Sequence, residues 1–164
     1  MATNTIPRDD NQVPFQNIDS FGVVVKVPTA AFTGGTANTR GNDGGTLDPL
    51  PLFTVTGDVL VRIYGVVTVA LTNATATVSV GVTDNVAGLL PVTTGTDMVA
   101  NEIWNDATPT EVGVGLLSNV LGPYLVVNGL DINEYVATAD VTAGDIYYVC
   151  LWRPMSRDGL VTAA

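Results

Sequence analysis

Apolar positions in this chain fall in short runs separated by Gly, Pro, Asn and Asp. The cleanest alternation is Thr75-Ala76-Thr77-Val78-Ser79-Val80-Gly81-Val82, with Ala76, Val78, Val80 and Val82 in one set and Thr75, Thr77, Ser79 and Gly81 in the other. A two-residue period of this kind marks a strand with one buried face. Upstream, residues 21–27 predict a first strand stopped by Pro28, and residues 52–56 a second, broken at Gly57-Asp58. Residues 59–71 predict a long strand in which Gly65 suggests a bulge or bend. Asn73-Ala74 and Asp84-Asn85 are turns, and a short apolar piece at 86–90 is ended by Pro91.

Residues 96–104 are the only stretch with a helical option, a turn or two capped by Thr96 with Val99 and Ile103 on one face. A strand beginning at Glu102 competes with it, and Asp106-Ala107-Thr108-Pro109 then turns the chain. Apolar runs follow at 112–117 and 120–127, and then Asn128-Gly129. That dipeptide is the strongest short hairpin signal, because both central residues of a type I′ turn need positive φ. A returning strand at 130–138 is expected, and a last one at 146–152 closed by Arg153-Pro154. The total is about eight strands at the close spacing of a sandwich or barrel.

Composition agrees. Val and Thr dominate, their β-branched side chains suit a pleated half-buried surface, and Lys26 is the only lysine, so a helical fold would lack its usual exposed residues. The fold class expected is all-β, an antiparallel β-sandwich over residues 21–164 preceded by a polar segment at 1–20. That segment, with Pro7 and Pro14 and isolated Phe15 and Ile18, is either a tail or an arm that orders against a neighbouring subunit with Phe15 and Ile18 as anchors. Residues 33–49 make a long Gly-, Asn- and Thr-rich loop with one charge of each sign near its tip, which reads as an exposed flap.

Charge and chemistry narrow the function classes. Sixteen acidic against six basic residues give a net −10, which argues against nucleic acid, whose phosphates need a basic stripe, and against an anionic membrane surface. There is no histidine, hence no Ser-His-Asp or Cys-His pair and no His-ligated zinc. The sixteen acids leave a glycosidase pair formally open, but none sits in a recognisable context. Cys150, in the apolar run Ile146-Tyr147-Tyr148-Val149-Cys150-Leu151-Trp152, reads as a small buried hydrophobe. Residues 41–48 hold a single Gly/Asp-rich copy of a pattern that binds calcium only when repeated, so a plain loop is the better reading. No cofactor or metal is expected. The first ten residues carry no signal-peptide core, and no run approaches the roughly 20 apolar residues of a membrane helix. The expectation is a non-enzymatic chain made in a cytoplasm.

The last strand adds a hint of association. Tyr147, Val149 and Leu151 lie on one face and Tyr148, Cys150 and Trp152 on the other, so both faces are apolar. Such a strand is covered on two sides, within the sandwich or by another subunit. Tyr148 and Trp152 therefore join Phe15 and Ile18 as candidate partner-binding residues.

The run Leu52-Phe53-Thr54-Val55-Thr56-Gly57-Asp58-Val59-Leu60-Val61 with Ile63-Tyr64-Gly65-Val66-Val67-Thr68, and the ending Val141-Thr142-Ala143-Gly144-Asp145-Ile146-Tyr147-Tyr148-Val149, resemble a pattern of small tailed-phage virion proteins. The resemblance covers residues 50–153 and marks a fold more than a function. It implies a jelly-roll-like head decoration (cement) protein, a homotrimer seated on the major capsid protein at the virion surface, with an N-terminal arm reaching neighbours. A tail or fibre module that binds a receptor or glycan through the 33–49 loop is the alternative. A carbohydrate-active enzyme or lectin on the same fold, binding sugar at the Trp104 or Trp152 surface, is a third.

Overall fold

In a computed structural model of the chain, the residues described are 22–28, 30–110, 112–114 and 123–164. Among them ten strands follow in chain order: β1 Gly22–Lys26, β2 Leu50–Thr56, β3 Val59–Val69, β4 Thr77–Val82, β5 Asn85–Thr94, β6 Ile103–Trp104, β7 Tyr124–Val126, β8 Ile132–Ala137, β9 Asp145–Pro154 and β10 Leu160–Ala163. All pairings are antiparallel and make two sheets. The first runs β1-β9-β3-β6, with β7 also on β3; the second runs β10-β2-β8-β4-β5. The antiparallel sandwich is as expected, with ten strands rather than about eight. The short β6 answers to the strand option beginning at Glu102, whereas β10, four residues long, was not expected and is too short to carry a clear periodicity of its own.

Alternation builds the core. Along β3, Val59, Val61, Ile63, Gly65 and Val67 are buried, while Leu60, Arg62, Tyr64 and Val66 between them are half-buried. Trp104, Tyr148, Phe53, Ile63, Leu90 and Ile132 are among the buried side chains of one continuous core. Gly65 does not make the expected bulge. It pairs in register with Trp104 on one side and Tyr148 on the other, and a Cβ there would lie 3.2 Å from the Trp104 ring and 3.1 Å from Ile146. The glycine clears space for the indole, and the irregularity in β3 falls at Val67/Val69 instead.

Three other local expectations change. Pro91 does not end its strand: β5 continues to Thr94 with a register shift against β4. Within its sheet β5 pairs only with β4, and on such an edge the missing proline N–H is tolerated. The 96–104 segment forms a single 3-10 turn at Gly95–Asp97, then enters β6. Asn128 and Gly129 do have φ of 59° and 65°, as a type I′ turn requires. They do not close a hairpin, however, because β7 pairs with β3 in one sheet and β8 with β2 and β4 in the other. The turn carries the chain across the sandwich, and its amides donate to Asp58 Oδ1 and to the Gly57 carbonyl, each at 3.0 Å.

Candidate functional site

The polar centre of the molecule begins with one misfit in a pattern. On β8 the inward positions are Ile132, Glu134 and Val136, so a carboxylate takes a place that alternation reserves for an apolar residue. Glu134 is 1% exposed. A charge so placed is tolerable only if it is paired and hydrogen-bonded. Arg40, also 1% exposed, supplies the partner from the 33–49 loop. Its Nε donates to Glu134 Oε1 at 3.0 Å and its Nη2 to Oε2 at 2.7 Å, a two-pronged pair. The remaining donors go to Asp145 Oδ1 (2.9 Å) and the carbonyls of Ala30 (3.1 Å) and Ile146 (3.2 Å). All five guanidinium donors are thereby used. The guanidinium carbon also sits 3.9 Å from the centre of the Phe32 ring.

Tyr148 completes the cluster, its hydroxyl donating to Glu134 Oε2. Its ring meets Trp104 with centroids 6.3 Å apart at 60°, and the Trp104 indole N–H donates to Thr93 Oγ1 at 2.9 Å. Burial, and then the neighbouring Glu134 charge, hold the Tyr148 hydroxyl protonated well above the usual tyrosine range. For Arg40 burial pulls the other way, but the Glu134 attraction outweighs it and the guanidinium stays charged. The arrangement is a locked strut with every donor committed.

Much of the 33–49 loop is exposed as expected, Thr36, Ala37 and Asn38 among it, but the strut corrects the reading of it as a free flap, because the positive charge placed near its tip is the buried Arg40. The loop is tied at other points as well. Asp48 Oδ1 accepts from the Val136 amide at 3.0 Å, and Asp140 Oδ1 accepts from Asn42 Nδ2 at 3.1 Å and the Asp43 amide at 2.8 Å. Gly34 N donates to the Val141 carbonyl at 2.9 Å, and a Cβ on Gly34 would lie 2.1 Å from the Gly41 oxygen. Such an approach admits only glycine.

The candidate partner-binding residues separate. Tyr148 is wholly buried inside its own chain, so its hydroxyl and ring serve the core and not a partner surface. Trp152 is half-buried beside Gly22, whose missing side chain leaves room for the indole: a Cβ there would lie 3.1 Å from Trp152 Nε1. Phe15 and Ile18 lie outside the described residues. Trp104 has no exposed surface, which removes it as a sugar-stacking platform. Cys150 is buried, and that burial pushes its thiol up to about 12.

Two surface features stand apart from the strut. An apolar hollow of about 270 Å³ lies between the β4–β5 turn and β7, lined by Val82, Leu89, Tyr124, Val126 and Leu130 with Asn85 at its side. The larger feature is the outer face of the first sheet. Cross-strand register sets Val23, Leu151 and Arg62 in one row across β1, β9 and β3, and Val25, Val149 and Tyr64 in another. Val66 stands beside Tyr147 and Leu60 beside Arg153. Val23 and Val25 are 60% and 48% exposed. The sequence signal for this face was present in the doubly apolar last strand. Comparison with known proteins found no matching family model, no matching curated protein and no matching solved structure.

Proposed function

We propose that this chain is a non-enzymatic structural protein of a virus particle, a decoration (cement) protein of the tailed-phage type that stabilises the head by bridging capsid subunits as a self-associated trimer. The observation that carries the reading is how the interior charge is used. The buried cluster of Arg40, Glu134 and Tyr148 spends all its donors on fixing the 33–49 loop to both sheets, which stiffens a scaffold and commits these three side chains to structure. A stiff acidic sandwich with exposed valines on an edge strand, Val86 and Val92 of β5, suits attachment by surface burial. The resemblance of residues 50–153 to small virion proteins points the same way.

The test is to purify particles from cells expressing this chain with and without its reading frame intact. The expected result is density for the protein on the head surface by cryo-electron microscopy, and loss of heads at lower temperature or salt stress when it is missing. Density on tails, or heads of equal stability without the protein, would overturn the proposal.

A further inference from the structure

We propose that Asn128 is a latent site of self-modification: when the 128–129 turn opens, the Gly129 nitrogen converts Asn128 to aspartate or isoaspartate, and Asp58 and Gly57 hold the pair unreacted in the folded chain. Asn128-Gly129 is the one Asn-Gly pair in the sequence. Asn128 is exposed, so water reaches its side chain. Glycine in the following position has no Cβ to obstruct an approach to the amide nitrogen. In the reaction that nitrogen bonds to the side-chain carbonyl carbon of Asn128. The bond from that carbon to the NH2 group breaks, and the proton of the attacking nitrogen leaves with the NH2 group as ammonia. Water then opens the resulting succinimide ring at either carbonyl, which gives the two acids. Nothing beyond water is consumed.

The fold withholds the nucleophile. The Gly129 N–H donates to the Gly57 carbonyl at 3.0 Å, so the proton that must leave is committed to another group. The Asn128 N–H donates to Asp58 Oδ1 at 3.0 Å, and the two residues are fixed in the left-handed region with φ of 59° and 65°. Swinging the Gly129 nitrogen onto the Asn128 side chain gives up the Gly57 bond, and the Asp58 bond resists that rotation. Asp58 is anchored without its own side chain. Its N–H donates to Ser156 Oγ at 2.8 Å, and its carbonyl accepts from the amides of Met155 at 2.8 Å and Ser156 at 3.1 Å. Removing the carboxylate therefore takes away the hold on Asn128 and leaves these main-chain ties. Conversion is not undone by refolding. In isoaspartate the main chain passes through the former side chain and gains a carbon, so the two amides no longer span both acceptors. Either product also puts a carboxylate on the residue whose amide Asp58 holds, and like charges repel. The turn carries the chain from β7 in one sheet to β8 in the other, so the mark falls on a sheet-to-sheet connection.

The experiment keeps the full-length protein in mildly alkaline buffer, either folded or unfolded in guanidinium chloride. The peptide holding Asn128 is followed by mass spectrometry, with electron-transfer fragmentation to separate isoaspartate from aspartate. Acid forms at Asn128 are expected to accumulate at least about tenfold faster in the unfolded chain. Losing a hydrogen bond to a charged acceptor raises the open fraction about tenfold or more, so Asp58→Ala, checked for its fold by circular dichroism, should speed conversion by that factor. Asp58→Asn, which keeps an uncharged oxygen acceptor, should fall between the parent and Asp58→Ala. Equal rates in the folded and unfolded parent would overturn the proposal, and so would no conversion in the unfolded chain. A folded Asp58→Ala variant that reacts no faster than the parent would overturn the role of Asp58. The comparison of folded with unfolded parent decides the matter even where the variant does not fold.

Discussion

Replacing Arg40 by Met keeps most of the side-chain length and its contact with Phe32 while deleting the charge. Glu134 is then left in the core with the Tyr148 hydroxyl as its one remaining polar partner among the contacts described. Removing one member of a buried ion pair typically costs about 3–5 kcal/mol, because the other stays desolvated without compensation. Relative to the parent, Arg40→Met should therefore lose about 4 kcal/mol at pH 7. Urea unfolding followed by tryptophan fluorescence measures it, with buried Trp104 as reporter. Arg40→Met/Glu134→Gln, which removes the stranded charge and keeps an acceptor for the Tyr148 hydroxyl, should restore much of that loss. A deficit below about 1 kcal/mol for the single variant, or a double variant no more stable than the single one, would refute the strut as the loop's anchor.

Three further outcomes follow from the same structure. Tyr148→Phe removes a hydrogen bond to a buried carboxylate and should cost about 1.5–3 kcal/mol at neutral pH by urea unfolding, with Arg40 still holding Glu134 in place. Cys150 should resist thiol reagents until the protein unfolds. Its folded thiol titrates at about 12 against an ordinary value of 9, so its contribution to stability is intact below pH 9 and drains away between pH 9 and 12; Cys150→Ala should show a shallower alkaline loss in pH-dependent melts. Gly34→Ala, which drives a Cβ to 2.1 Å from a backbone oxygen, should cost roughly 2–3 kcal/mol. Gly44→Ala, with positive φ but open space, should cost only about 1–2 kcal/mol, and thermal melts in which Gly44→Ala is the more damaging would contradict this account.

What was legible in the residues was whatever depends on near neighbours, and what was hidden depends on distant ones. The period of two along residues 75–82 and the valine-rich runs suffice for strands, since side-chain alternation is local. The Asn128-Gly129 backbone was legible for the same reason, because positive φ is a property of those two residues. Whether the turn closes a hairpin is not local: Asp58 and Gly57, some seventy positions earlier, grip it and send β7 and β8 to different sheets. Gly65 was flagged for the wrong cause, since its reason is an indole arriving from β6. Tyr148 read from its own strand alone as covered either by the sandwich or by a partner, and its burial in the core follows from Trp104 and Glu134 on other strands. The polar strut, however, did leave a trace. In Ile132-Asn133-Glu134-Tyr135-Val136 the acid shares a face with Ile132 and Val136, and a carboxylate on a buried face demands a cation. With only six basic residues in the chain, that demand reaches few candidates. Arg40, set among small residues that pose no obstacle to a buried approach, meets it, so a loop that looked free because it is rich in Gly and Asn is tied to the core through its one arginine.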